Sequence, residues 1–159
     1  VIRPAGMSLP HPTVIDFANE MYFRPEGGLT LVGLEDGNPL GQSPDSDADH
    51  AQPGFVQRAI ERICRRVPAL ERASLHSAHG GFDGITPDQH PILGAAGPDG
   101  YYVDCGHSGT GFKTAPAVGL CMTELILDGA AKTVDITSLA PGRFGAGKTI
   151  TGNYDSVWK

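Results

Sequence analysis

The segment YYVDCGHSGTGFKTAPAVGLCMTELILDG, residues 101 to 129, restricts the possible folds more than any other part of the chain. A short, mostly apolar strand, YYVDC, runs into a loop carrying Gly106, Gly109 and Gly111. A helix follows from about Thr114, with Ala117, Val118, Leu120, Cys121, Leu125 and Ile126 along it. Thr114 suits an N-cap, Pro116 a first turn and Gly129 the C′ position. The helix is apolar on most sides, which predicts burial. Missing side chains in the loop let a ligand approach the backbone. The helix start adds free N–H groups and a partial positive charge, so the unit suits an anionic group. Its spacing is G-x-x-G-x-G, not the G-x-G-x-x-G of a first Rossmann turn, and a plain tight turn reads the same way.

The rest of the chain supplies partners for this unit. Residues 13 to 34 read as a hairpin: TVIDFA and EMYFRP, a turn at Glu26-Gly27-Gly28, then LTLVGL. EDGNPLGQSPDSDADHAQ, residues 35 to 52, is acidic and turn-rich and reads as a surface loop. Phe55, Val56, Ala59, Ile60, Ile63, Cys64 and Val67 share one face of an amphipathic helix that Pro68 ends. RASLHSAHGGF reads as a strand, PILG as a short apolar piece and GPDG as a turn. There is no internal repeat.

Composition excludes several classes. Formal net charge is −6, and the one dense basic run, Arg62, Arg65 and Arg66, falls on the polar face of the first helix, so no nucleic-acid partner is expected. No stretch approaches the ~18 apolar residues of a membrane span. The chain opens on VIRPAG, with no Met and no charged-then-apolar run, and is expected to be a fragment or processed piece without a signal peptide. Three cysteines, Cys64, Cys105 and Cys121, with no C-x-x-C read as reduced thiols in a cytoplasmic protein.

Two motifs, GFDGITPDQHPILG and GHSGTGFKTAPAVG, followed by ELILDG, resemble the C-terminal part of FAD-dependent amine and amino-acid oxidoreductases. This is the family of D-amino-acid oxidase, glycine oxidase, sarcosine oxidase and dimethylglycine dehydrogenase. MYFRPEGGLTLVG looks like a strand pair of that family's substrate domain. The resemblance covers most of residues 13 to 130. It implies an FAD, non-covalent at the Gly80/Gly81 position, with Ile85, Thr86, Pro87 and Asp88 beside the isoalloxazine ring. Gly106, His107, Ser108, Gly109, Thr110, Gly111 and Phe112 would wrap the pyrimidine edge. The following helix would aim its positive end at the negative charge that builds up on reduction. Lys113 matches the basic residue that reaches the substrate carboxylate in sarcosine-oxidase-like members. The implied reaction is oxidation of a C–N bond by hydride transfer to flavin.

The departures are equally informative. Gly80 and Gly81 stand where some members attach flavin through cysteine. Thr110 stands where many relatives have His, and Thr30 where some have a lysine that favours reaction with oxygen, which leans toward a dehydrogenase. No strand–G-x-G-x-x-G–helix unit occurs, so the pyrophosphate-binding half is expected on a longer polypeptide or a partner subunit. The fold class expected is mixed α/β. Residues 1–75 would end an antiparallel substrate-domain sheet, 76–134 would close an FAD-binding Rossmann-like domain, and 135–159 would form a surface tail.

Three rival readings have weaker support. PGRFGAGKT, Pro141 to Thr149, matches the phosphate-loop pattern, but ITGNYDSVWK after it does not make the required helix. His76 and His79 fall on opposite faces of a strand with no third ligand, so no metal site is expected. Asp88 with Asp104 could pose as an acid–base pair, yet Asp88 already suits the Thr-Pro-Asp turn. A non-catalytic flavoprotein module remains as the alternative function.

Overall fold

Alternation of Met21, Phe23 and Pro25 with polar or half-exposed neighbours makes one face of a strand apolar. In the computed structural model, which describes residues 1–3, 7, 11–34, 41 and 50–151, this strand is the middle of a three-stranded antiparallel sheet. The strands are β1 (Val14–Asp16), β2 (Met21–Glu26) and β3 (Leu29–Leu34). The turn at Gly27-Gly28 sets the β2–β3 register, pairing Glu26 with Leu29 and Met21 with Leu34. Gly27, at φ +55°, takes the positive dihedral that a two-residue hairpin turn requires. One strand more than the expected hairpin arises because Phe17–Asn19 forms a 3-10 turn and Glu20 takes a left-handed conformation. The Asp16 carboxylate accepts from the backbone and side chain of Asn19 there.

Helix α1 (Phe55–Arg66) packs its apolar stripe on the sheet. Met21, Phe23, Leu34, Ala59, Ile63 and Leu70 form one buried cluster. Each large member contributes about 1.5–3 kcal/mol by leaving water. Val67 ends the helix ahead of Pro68, as the sequence predicts. The expected strand in RASLHSAHGGF does not form. Among the described residues only Ser74 of this segment forms a β-bridge, exchanging hydrogen bonds with Ile2 at 2.8 and 3.3 Å, and a strand persists only where its backbone groups are paired. These elements belong to the first of two compact units, Val1–Phe82; the second is Asp83–Lys159.

In the second unit β4 (Ile92–Ala95) and β5 (Tyr102–Cys105) pair antiparallel, with Ile92 opposite Cys105. The loop Gly106–Thr110 then feeds α2 (Gly111–Asp128), and Gly129 closes it in the left-handed conformation. The helix starts three residues before Thr114, and Pro116 therefore lies in its second turn. Among the described residues only one face is covered. Val118, Cys121 and Met122 are buried with Leu93 and Ile136, while Leu120, Ile126 and Leu127 are exposed. The segment read from sequence as a surface tail thus supplies Ile136 to this core and also buries Arg143. Most of the expected acidic loop and the chain beyond residue 151 lie outside the described residues.

The phosphate-loop pattern lacks the geometry it requires. Pro141–Arg143 is a 3-10 turn, and among the described residues no strand leads into it and no helix leaves it. No helix among the described residues is long and apolar enough to cross a membrane.

Candidate functional site: the glycine loop and the Thr-Pro-Asp turn

β5 ends at Cys105, and the chain then turns back on itself through Gly106 at φ +65°, Ser108 at +50° and Gly109 at +80°. A Cβ on Gly106 would come within 2.5 Å of Thr86 Cγ2, so only glycine fits this approach. Segment 83–88 lies directly against this loop. Ser108 N–H donates to the Gly84 carbonyl at 3.0 Å, and Thr86 N–H donates to Ser108 Oγ at 3.1 Å. The two motifs quoted from the sequence are therefore neighbours in space.

The start of α2 is left open. Thr110 is the cap residue, but its hydroxyl donates to the His107 carbonyl at 2.7 Å and gives the helix no side-chain cap. The N–H groups of Gly111, Phe112 and Lys113 consequently have no acceptor within the helix. Phe112 is 100% exposed, Lys113 is exposed, and Ile85 and Pro87 are exposed on the facing segment. The two adjoining segments thus carry exposed apolar side chains together with free backbone donors at the positive end of a helix.

Asp88 and Thr86 face the other way. Both are buried, and Asp88 forms a two-point ion pair with Arg143, Nε to Oδ2 at 2.8 Å and Nη2 to Oδ1 at 2.9 Å. Their side chains are only 2% and 3% exposed respectively. Arg143 also donates to the carbonyls of Leu139 and His90 and stacks on Phe144 at 4.2 Å. The His90 and Ile150 backbone N–H groups also donate to Asp88, and the Thr86 hydroxyl lies 3.2 Å from its Oδ1. The Arg143 hydrogen bonds hold the Asp88 carboxyl well below the usual carboxylate range, against the opposing effect of burial. Asp88 is fully used in joining the turn to residues 139–150.

Within the loop, His107 Nε2 lies 2.7 Å from Asp104 Oδ1, while its Nδ1 is buried without a hydrogen-bond partner among the described residues. A carboxylate only accepts, so Nε2 is the donor of this contact. Asp104 is thus tied to His107 rather than paired with Asp88. Arg143 and the Asp104–His107 contact were not legible as site features. Arg143 meets Asp88 across 55 residues, which spacing along the chain does not reveal, and Asp104 is an exposed carboxylate whose pattern carries no signal of its histidine partner.

Comparison with known proteins places this geometry. The family described as "FAD dependent oxidoreductase" matches residues 1–125. A Bos taurus relative, FAD-dependent oxidoreductase domain-containing protein 1, is 34% identical over 151 residues, covering 89% of this chain and 29% of the relative. Sarcosine oxidase subunit beta of Rhodobacter capsulatus is 30% identical over 93 residues, covering 57% of this chain and 22% of that protein. The crystal structure of L-proline dehydrogenase from P. horikoshii matches with a TM-score of 0.77 at 27% identity, over 91% of this chain and 38% of that one. The chain thus spans about a third of the length of such relatives. With mixed α/β architecture, antiparallel sheets and both motifs in place, the chain belongs to the FAD dependent oxidoreductase family.

Proposed function

We propose that this chain forms part of a flavoenzyme that oxidises the C–N bond of an amino acid or secondary amine. The observation that carries the reading is the open cradle in which Phe112 and Ile85 are exposed beside the uncapped start of α2. These residues fit a flavin: two apolar side chains suit a flat ring, and glycines at 106, 109 and 111 keep the backbone within its reach. A bound flavin supplies the hydride acceptor.

The chain's own residues have distinct tasks. Ile85, Pro87 and Phe112 cover apolar ring surface. The N–H groups of Gly111 and Phe112, with the helix dipole, stabilise negative charge at the pyrimidine edge. Lys113, exposed one residue further on, takes the substrate carboxylate as a mobile point charge. Gly80 and Gly81 offer no thiol, so no covalent flavin bond forms at that position. β3 carries no lysine, and Thr30 hydrogen-bonds His11 at 2.8 Å, which favours a dehydrogenase over an oxidase. The partner is the pyrophosphate-binding half or a subunit that carries it. The exposed apolar side chains of α2 support this, as does one relative's being a subunit. A cytoplasmic location fits three free thiols.

The test is the visible spectrum of the longest natural polypeptide containing this chain, taken anaerobically with a panel of amino acids and N-methylated amines. Bleaching of a flavin spectrum by a panel member is the expected result. A protein that stays colourless after added FAD leaves the non-catalytic module instead.

A further inference from the structure

Ser108 is the one residue of the glycine loop that adopts a left-handed backbone without being glycine. Such a conformation is costly for a residue with a Cβ and persists only where the surroundings enforce it. The enforcement is visible. Its N–H reaches Gly84 O at 3.0 Å, its Oγ accepts the Thr86 N–H at 3.1 Å, and that hydroxyl lies 3.3 Å from the Gly106 carbonyl. On the far side of the contact, Thr86 Oγ1 donates to the His90 carbonyl at 2.8 Å, and the buried Asp88 follows two residues later.

We propose that Ser108 is a positioning residue: a clip that sets the spacing between the Thr-Pro-Asp segment and the glycine loop, and so the shape of the flavin cradle. This rests on the flavin reading above. The hydroxyl is spent on the Thr86 backbone and the Gly106 carbonyl, so Ser108 acts through Ile85 and Gly106, the exposed residue and the glycine on either side of the contact. The side chain could be dispensed with if the loop needed only its shape, because glycine takes φ +50° without strain. Serine in that conformation adds to the loop shape a hydroxyl that joins two segments, which glycine would not supply.

Two substitutions separate the clip from mere folding. Ser108→Ala keeps the strained backbone and loses the Oγ bonds. Ser108→Gly loses the same bonds while relieving the strain, so it keeps near-native thermal stability. Both are made in the longest natural polypeptide, and FAD affinity is read by flavin fluorescence together with the shape of the flavin absorption band. The expected result is a Kd raised about tenfold and a changed band shape in both variants, the scale of one lost hydrogen bond. Thermal stability would be lowered only in Ser108→Ala. Ser108→Gly answers the question even if Ser108→Ala does not fold. Wild-type affinity and band shape in Ser108→Gly would overturn the clip while leaving the flavin reading intact. Failure of the wild-type protein to take up FAD would overturn both.

Discussion

The sheet-and-helix unit and the loop-and-helix unit treat their polar groups in opposite ways. In the first, the buried Thr30 exchanges backbone hydrogen bonds with Val1 at 2.8 Å and bonds the buried His11 through its hydroxyl. Gly33 is covered by the Tyr22 ring across the strand pair. In the second, a helix start is left uncapped, a histidine nitrogen is buried without a partner among the described residues and Phe112 projects fully into solvent. Closure suits a scaffold, and unmet valences on a rigid frame suit binding. The frame of the second unit is the Asp88–Arg143 pair, which lets the exposed side of the same turn stay free.

The largest expected effect comes from breaking that frame. Arg143→Ala leaves a buried carboxylate unpaired and should cost about 3–5 kcal/mol, read as a lower urea midpoint. An unchanged midpoint would mean the pair is not a structural anchor. In the first unit the matching change is Ile63→Ala, which empties a fully buried position and should cost about 2–5 kcal/mol.

These two positions also mark what a sequence discloses. Ile63 was legible, because its place follows from helical periodicity. So were β2, β3, α1 and the strand–loop–helix unit. Arg143 was not legible as an anchor, because it meets Asp88 across 55 residues. The start of α2 was misplaced by three residues because the hydroxyl of Thr110 serves His107 instead of the helix. The strand expected after Arg72 failed because an extended segment needs a partner, and among the described residues only Ser74 of this segment forms a β-bridge.

Acid should discriminate next. The Asp88 carboxyl titrates lower in the folded chain than its unfolded value of about 3.9. Its contribution is therefore fully present above about pH 4 and is lost as pH falls toward the depressed folded value. Urea midpoints between about pH 5 and pH 2 should fall more steeply for the wild type than for Asp88→Asn. Equal slopes would contradict the assignment. A smaller effect, about 2 kcal/mol, is expected for Gly106→Ala, where φ +65° and the Thr86 methyl both oppose a Cβ. Loss of FAD binding should accompany it.

The most direct measurement targets the part that stability does not need. Phe112, 100% exposed, can be removed without disturbing a core, so Phe112→Ala should keep the wild-type unfolding free energy, read from urea melts, within about 0.5 kcal/mol. FAD titration of the longest natural polypeptide, followed by flavin fluorescence, should then show uptake by the wild type and at least about a tenfold weaker Kd in the variant. Equal affinity, or no uptake by the wild type, would contradict the claim that the open side of the glycine loop is a flavin seat.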